Sequence, residues 1–430
     1  MHLQLGQVPT LIASSPQYAR EILKTQDRVF ASRPPLKVPR LMMYGTRDIA
    51  FAPYGEFWRH VRKITTLHLL SSKRVQSFRR MREETVALMI QNIRNASGLV
   101  NLSDILYAFT TSVIARVTFG KEFLRPGVIE KIHRLVKENS KLLGGLHLED
   151  CFPGHKWLDF FTGLSGRVEK NFHGWDSLFE ESIEDHIRAE GAAVDKDEQD
   201  FVDVLLALQK EENTKDVSLT REDMDMFAAG THTTFILLEW TMAELVKNPN
   251  VMNKAKEEII QIMKGKSTID EDDIDHMMYL RAIIKEALRL HPPIPLSGLR
   301  ESMEDTMIKN YKIPARTRII VNTWSIGRDI EYWESPKLFL PERFIDSPLD
   351  YKGNDFQFIP FGAGRRICPA MQFAIIDVEL ALANLIHHFE WKLPIEVEDM
   401  DMSESPGLTT PRKSKLLVVA TPSKSIKSLK

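Results

Sequence analysis

Apolar positions near the N-terminus alternate before they change to a helical spacing. Alternation over His2–Leu5 and Val8–Ala13, joined by a glycine-containing pair, predicts two strands and a turn. The apolar residues that follow recur on one face of a helix, which Ser15 would cap and Pro16 would open. The chain is therefore expected to begin with a hairpin and a helix.

The middle of the chain carries longer helical patterns, and only its last third returns to strands. Helical spacing of apolar residues occupies 56–69, 73–96, 102–119 and 221–247. Irregular polar segments occupy 147–166 and 190–199, and strand patterns occupy Thr317–Thr323 and Leu416–Ala420. We expect a mainly α fold with small β-sheets. No shift in composition marks a boundary, so a single domain over residues 1–430 is expected.

The pattern over 221–247 predicts one long helix with a buried middle. No Asp, Glu, Lys or Arg occurs between Asp225 and Glu239, although Gly230 and several threonines interrupt the apolar run. Glycine costs about 1 kcal/mol inside a helix, and threonine hydroxyls compete for backbone carbonyls. Two interpretations stay open. The helix is either a core helix with a packing glycine, or a helix that bends or has something else packed against it.

A lone cysteine follows a glycine-bearing loop near the C-terminus. Pro369 and a helical pattern come next, so Cys368 is expected just outside a helix N-terminus, where backbone N–H groups favour a thiolate. A thiolate is a ligand that haem iron accepts, whereas a small buried apolar residue is the alternative interpretation. Gly364 would let the loop turn and approach a flat ring, Phe361 would cover the sulfur, and Arg366 would pair with a carboxylate.

Composition narrows the class of protein. The chain has 430 residues, 43% of them hydrophobic and 27% charged, which supports a globular core. A net charge of −2 gives no bulk attraction to nucleic acid, so no nucleic-acid partner is expected. Cys151 and Cys368 are the only cysteines, which fits a reducing compartment and makes Cys151 a free structural thiol.

The residues from Phe361 to Ala370 resemble the haem-binding signature of the cytochrome P-450 family of haem-thiolate monooxygenases, with Ala370 where the family more often has Gly. Further motifs occur in the family's order, so the resemblance spans nearly the whole chain. Details such as Phe51-Ala-Pro-Tyr-Gly55 are similar to the plant A-type microsomal branch. The resemblance implies the family fold, in which haem b lies between the central helix and a loop that supplies Cys368 as axial ligand.

The central helix resembles the family's oxygen-binding groove. There, Gly230 would leave room for dioxygen, and Thr233 would steady the water chain that delivers protons. The family normally has Asp or Glu where this chain has His232. Our hypothesis is that His232 either carries protons in place of that acid or leaves the enzyme poorly coupled.

Two further motifs resemble family elements that hold the haem and the proximal core. Haem propionates are expected to contact Trp58, Arg62, Arg300 and Arg366. Glu286, Arg289 and Arg343 are expected to form a buried network with a structural role. The alternative interpretations are an amphipathic basic helix at 58–63 and a weak, solvent-exposed Glu286–Arg289 pair.

The resemblance also implies a substrate pocket and partners. Positions equivalent to family pocket residues are Met42, Met43, Ala229, Leu296, Ser297 and Leu408. They are mostly apolar, so a small lipophilic terpenoid, coumarin or phenylpropanoid is expected as substrate. Electrons would pass from NADPH through a flavoprotein reductase, docked at a basic patch of Arg59, Lys63 and Arg365, although solvated charge explains these residues equally well.

Location and activity follow from the same resemblance. Family members of this branch lie on the cytoplasmic face of the endoplasmic reticulum membrane through an N-terminal anchor, and the sequence is expected to be truncated before its first strand. Two other activities stay open: a haem-thiolate isomerase or dehydratase, and a catalytically impaired haem-binding protein. Thr233 speaks against the first, and His232 leaves room for both.

Overall fold

The computed structural model describes residues 1–430 except 97, 121–124, 126, 146, 156–161, 189–198, 212–223 and 424–430. Within these residues helices predominate. They are α1 (Pro16–Arg20), α2 (Lys37–Met42), α3 (Glu56–Ile64), α4 (Ser72–Ser77), α5 (Arg79–Asn95), α6 (Leu102–Phe119), α7 (Val128–Gly144), α8 (Leu148–Cys151), α9 (Leu164–Arg188), α10 (Phe201–Glu211), α11 (Met224–Lys247), α12 (Pro249–Met263), α13 (Glu271–Ile274), α14 (Met278–Leu290), α15 (Thr323–Ile326) and α16 (Met371–His388). The predicted mainly α fold is confirmed.

The strands form three small sheets at the periphery. They are β1 (His2–Leu5), β2 (Val8–Ala13), β3 (Leu99–Asn101), β4 (Arg300–Glu301), β5 (Thr306–Ile308), β6 (Tyr311–Ile313), β7 (Arg318–Val321), β8 (Phe389–Lys392) and β9 (Leu417–Pro422). The sheet orders are β1-β2-β7-β4, β3-β9-β8 and β5-β6. In the first sheet β2 and β7 are parallel, and the other neighbours are antiparallel. This sheet places β4, with Arg300, beside β7, which separates it from the N-terminal hairpin.

The predicted element boundaries need small corrections. The helix expected over 73–96 is interrupted at Phe78, whose φ of −84° and ψ of 4° are not helical. The helix expected over 56–69 ends in a π-helical turn at Thr65–Leu69. Ser15 precedes α1 in an extended conformation, but its side chain makes no capping hydrogen bond. The segment expected to be irregular at 147–166 contains the short helix α8.

A large apolar core surrounds the central helix α11. This helix packs against α6, α14 and α16, and its residues from Ile236 to Leu238 are almost completely buried. The apolar run from Ile236 to Leu238 is therefore explained by packing against these helices. Residues 221–223 of the predicted helix lie outside the described part of the chain. Within the described residues, no helix combines the length and apolar character that a membrane span requires.

Candidate active site

A cavity of about 400 Å³ lies inside the molecule. Helix α11 contributes residues from Phe227 to Thr234, and the loop before α16 contributes Phe361, Cys368 and their neighbours. The helices α6, α7, α9 and α10 also line the cavity, and most of the side chains they contribute are apolar. The predicted groove and the predicted cysteine loop therefore border the same space.

The cysteine loop holds its sulfur at the cavity. The Cys368 backbone N–H donates to the Phe361 carbonyl at 3.0 Å, which closes the loop. Helix α16 begins at Met371, with Ala370 as its N-cap. We expected Pro369 in the first turn of this helix, but it lies before the helix. Burial raises the pKa of the Cys368 thiol, and the Ala370 backbone N–H and Arg62 oppose that shift only in part. Desolvation therefore outweighs the backbone amide for the thiol by itself, and the thiolate expected of Cys368 stays a prediction at this point.

Two glycines of this loop have positive φ angles, and their structural roles differ from the predicted ones. Gly364 has a φ of +71°, and a Cβ there would lie 2.1 Å from the Leu23 carbonyl oxygen. It therefore permits close packing on the N-terminal helix, and it does not line the cavity as a ring-facing residue would. Gly362, with a φ of +73°, lines the cavity instead. Gly362 and Gly364 are only two residues apart, and the sequence did not indicate which of them would line the cavity.

Four arginines meet at one side of the cavity: Arg33, Arg62, Arg300 and Arg366. Burial and the neighbouring Arg33 and Arg300 lower the pKa of Arg366 to about 8. Burial and Arg300 lower the pKa of Arg33 to about 9. Burial also lowers the pKa of Arg300 to about 10, although Asp27 opposes it. The cluster therefore carries more positive charge than the nearby carboxylates offset, and it would be stabilised by an anionic ligand.

Individual donors in this cluster differ in their availability. The Arg62 guanidinium makes no hydrogen bond or ion pair within the described residues, and it lies near Cys368. Arg366 uses three donors on the carbonyls of Ala31, Ile49 and Ala52, which leaves two of its five N–H groups free of those bonds. Arg300 bonds to the Phe30 and Ala363 carbonyls.

Arg33 was not predicted. It is the only charged residue between Arg28 and Lys37, and that isolation was the available signal. Its guanidinium donates to the carbonyls of Gly298 and Leu299 at 2.6 Å each and to Ala50 at 2.8 Å. A Cβ at Gly298 would meet this guanidinium at 2.8 Å, so the glycine makes room for the arginine.

Trp58 lines the cavity, but not as expected. Its indole N–H donates to the Ile49 carbonyl at 2.9 Å rather than remaining free for a propionate. The Arg366 guanidinium lies 4.1 Å from the centre of the indole ring, within the range of a cation–π contact. In this structure Trp58 therefore supports an arginine of the cluster, because the nearby carbonyl already takes its only donor.

The groove residues of α11 face the cavity. The Thr233 hydroxyl donates to the Ala229 carbonyl at 2.6 Å, one turn earlier. Gly230 lines the cavity as well, and a Cβ there would lie 3.1 Å from Cδ1 of Ile114 on α6. Gly230 therefore packs closely against α6 and also borders the cavity, so the structure is compatible with both interpretations of this glycine.

His232 lies beside Thr233 and is buried. Its Nδ1 forms a hydrogen bond of 2.9 Å with the Thr409 hydroxyl. Burial and the neighbouring His133 lower the pKa of His232 to about 4, so the ring is neutral near pH 7. This partner on the C-terminal segment has no counterpart in the sequence motif, and only folding brings it near α11.

The three residues expected in a proximal network lie together; Glu286 and Arg289 are buried, and Arg343 is partly buried. Arg289 forms two hydrogen bonds of 2.7 Å with the Glu286 carboxylate. Arg343 Nε lies 3.3 Å from the same carboxylate, and the Leu340 backbone N–H donates to it at 2.8 Å. Glu286 and Arg289 have fully buried side chains, so the solvent-exposed alternative is wrong for this pair.

Four of the six predicted pocket residues line the cavity: Met43, Ala229, Ser297 and Leu408. Met42 instead packs in a separate core cluster with Val38 and Leu142 and is 1% exposed. Leu296 is 50% exposed and does not line the cavity. Both are neighbours in sequence of true lining residues, and the turn of the backbone directs them elsewhere.

The residues present fit a haem. A soft sulfur ligand and an excess of buried guanidinium groups border one cavity, which suits an iron ring with two carboxylates. Cys368 would hold the iron, and the arginine cluster would hold the propionates.

Comparisons with known proteins agree with this site. A family model described as Cytochrome P450 matches residues 1–419. Cytochrome P450 71A1 of Persea americana is 45% identical over 433 residues, covering 97% of this chain and 86% of that protein. Premnaspirodiene oxygenase of Hyoscyamus muticus is 42% identical over 435 residues, covering 98% and 86% respectively. A solved zebrafish cytochrome P450 structure with progesterone has a TM-score of 0.82 and 25% identity, covering 98% of this chain and 96% of that one.

The site and fold define a haem-thiolate monooxygenase. The chain belongs to the cytochrome P-450 family, and its relatives are consistent with the plant A-type branch. It is an oxidoreductase whose cofactor is haem b with a cysteine thiolate ligand.

Proposed function

We propose that this protein inserts one oxygen atom from dioxygen into a small lipophilic specialised metabolite, a terpenoid, coumarin or phenylpropanoid. NADPH would supply the electrons through a flavoprotein reductase. The observation that carries the proposal is one cavity with Cys368 on its border, the Gly230–Thr233 groove on its border, and mostly apolar walls. The relative named premnaspirodiene oxygenase supports a terpenoid.

The bound haem supplies the activation of dioxygen, and the chain's own residues orient and protect it. Cys368 would hold the iron, and Arg62, whose guanidinium has no partner within the described residues, would bind a propionate. Thr233, with its hydroxyl proton directed to Ala229, offers its oxygen lone pairs to water in the cavity. Proton delivery by Thr233 and His232 stays a prediction.

The reductase and the membrane remain part of the proposal. Arg59 and Lys63 are exposed on α3 and offer positive charge to an acidic partner. Arg365 contributes less, because it pairs with Asp27 at 2.9 Å. A single catalytic domain at the cytoplasmic face of the endoplasmic reticulum fits the family branch.

A ferrous–carbon monoxide spectrum tests the assignment directly. The native protein should show the long-wavelength absorption of thiolate ligation, and Cys368→Ala should lose it. Cys151→Ala is the matched control and should keep it, since Cys151 does not line the cavity. Unchanged spectra in Cys368→Ala would refute the ligand.

Turnover then separates the three candidate activities. Product formation that needs both oxygen and NADPH with a reductase supports the monooxygenase. Conversion of a peroxide without either supports an isomerase or dehydratase, and thiolate spectra with no conversion support an impaired haem protein.

A further inference from the structure

We propose that Ser140, Thr409 and His232 form a polar anchor that binds one neutral hydroxyl or carbonyl group of the substrate. The protein would then prefer a small apolar molecule that already carries one oxygen function. The proposal rests on the proposed function, because it describes how the same cavity selects its substrate.

The three side chains form a continuous hydrogen-bonded chain. Ser140 Oγ lies 2.6 Å from Thr409 Oγ1, and Thr409 Oγ1 lies 2.9 Å from His232 Nδ1. They come from α7, the C-terminal segment and α11, and all three line the cavity. Residues 269 and 177 positions apart along the chain are thus joined at one point of the wall.

The remaining nitrogen of His232 is available to a ligand. Nε2 has no hydrogen-bond partner in the part of the chain that the structure describes, yet it is not among the fully buried polar atoms that lack one. It therefore retains accessible surface. His232 as a whole residue is 8% exposed and lines the cavity, so this surface opens into the cavity.

The chain can present either a donor or an acceptor at this nitrogen. If Thr409 donates to Nδ1, Nε2 carries the proton and donates to a ligand oxygen. If Nδ1–H donates to Thr409, Nε2 accepts from a ligand hydroxyl. A hydroxyl suits both tautomers and a carbonyl suits the first. The pKa of about 4 keeps the ring neutral, so the anchor gives a charged ligand no ion pair.

The anchor is fixed before any ligand arrives. The Leu408 backbone N–H donates to the Ser140 carbonyl at 3.0 Å, and the Thr410 N–H donates to the Pro293 carbonyl at 3.1 Å. The Trp240 indole N–H also donates to the Thr410 carbonyl at 3.0 Å. A Cβ at Gly144 would lie 2.1 Å from the Leu408 nitrogen, so this glycine permits the contact. A held anchor lowers the entropy cost of binding.

Two other polar side chains of the cavity wall, those of Asn139 and Thr233, already form hydrogen bonds within the protein. Asn139 accepts the Trp175 indole N–H at 3.2 Å, and the Thr233 hydroxyl donates to Ala229. The side chains of Val136, Leu143 and Leu408 that adjoin the anchor are apolar. A ligand oxygen placed among them would lose its water without compensation unless it reached His232.

The test measures binding of three probes of one shape: decalin, 2-decalol and 2-decalone. Equilibrium dialysis against the haem-loaded protein gives each dissociation constant, and the ratio of decalin to 2-decalol constants gives the preference. His232→Phe keeps an aromatic ring without the nitrogen and should lower the preference about tenfold, the effect of one lost buried hydrogen bond. Thr409→Val removes the hydroxyl that orients the ring and should lower it several-fold.

Thr118→Val is the matched control, since it removes a hydroxyl from another cavity-lining threonine that is not part of the anchor. Its preference should equal that of the native protein. A His232→Phe preference within twofold of native overturns the proposal, and if that variant does not fold, an unchanged Thr409→Val does so. A lowered preference in protein that shows no NADPH-dependent turnover would support the anchor while contradicting the proposed function.

Discussion

At the scale of single residues, the positive charge of the arginines around the cavity suits an anionic ligand. Burial lowers the pKa values of Arg33, Arg300 and Arg366, and repulsion from neighbouring arginines lowers those of Arg33 and Arg366 further. Such an arrangement costs stability unless anions offset it. Haem propionates would supply those anions, so each arginine should affect haem retention.

We expect Arg33→Gln to weaken haem binding about tenfold, because the propionates lose a charge-assisted contact and part of the positive charge that balances them. Haem transfer to an acceptor protein measures the change. Arg365→Gln is the control, since that guanidinium is exposed, pairs with Asp27 and does not line the cavity. Equal transfer rates for the native protein and Arg33→Gln would show that Arg33 serves only its three carbonyl contacts.

At the scale of elements, Glu286 links its own helix α14 to the segment 340–343. Its carboxylate binds Arg289 on the same helix, Arg343 in the 3-10 turn Pro341–Phe344, and the Leu340 backbone N–H before that turn. Arg289 continues to the carbonyls of Gly327 and Pro336. The helix α14 is thereby tied to the segments that follow it.

Glu286→Gln should destabilise the protein by about 3–5 kcal/mol, since it leaves the buried Arg289 guanidinium without its counter-charge. The unfolding temperature followed by circular dichroism measures this and should fall by about 3–10 °C, on the order of 1–2 °C per kcal/mol for a chain of this size. Glu257→Gln on the exposed face of α12 is the control and should change it little. A matching small change at Glu286 would mean that the network carries no net stability.

At the scale of the whole molecule, buried histidines set a lower pH limit on folding. Burial lowers the pKa of His388 to about 4, with further contributions from His387 and Arg94, and His232 has a similar value. Unfolded histidines titrate near 6.5. The unfolded chain therefore binds more protons between pH 6.5 and 4, and stability should fall as the pH falls through that range.

His388→Asn tests this limit, because the amide oxygen can replace Nδ1 as acceptor for Arg94. The drop in unfolding temperature between pH 7 and pH 5 should be smaller in the variant than in the native protein. His173→Asn is the control, with a side chain 66% exposed, and should keep the native slope. The same slope in His388→Asn would contradict the lowered pKa.

Sequence patterns predicted the elements well where one local rule dominated. The N-terminal strands match His2–Leu5 and Val8–Ala13, since alternation and a turn glycine suffice to define them. The break at Phe78 and the start of α16 at Met371 were missed. Those ends depend on packing by distant segments, which a local pattern does not contain.

By itself the sequence determined the class of protein, the cysteine ligand and the order of the motifs, because each rests on residue types at fixed local spacing. Only the tertiary structure decided which neighbours face the cavity: Gly362 rather than Gly364, Met43 rather than Met42. It also brought Arg33 to the arginine cluster, and Thr409 and Ser140 to His232. These contacts join residues that are far apart in the chain, so no local pattern contains them. Burial in the folded protein also raises the pKa of Cys368 and lowers the pKa of His232.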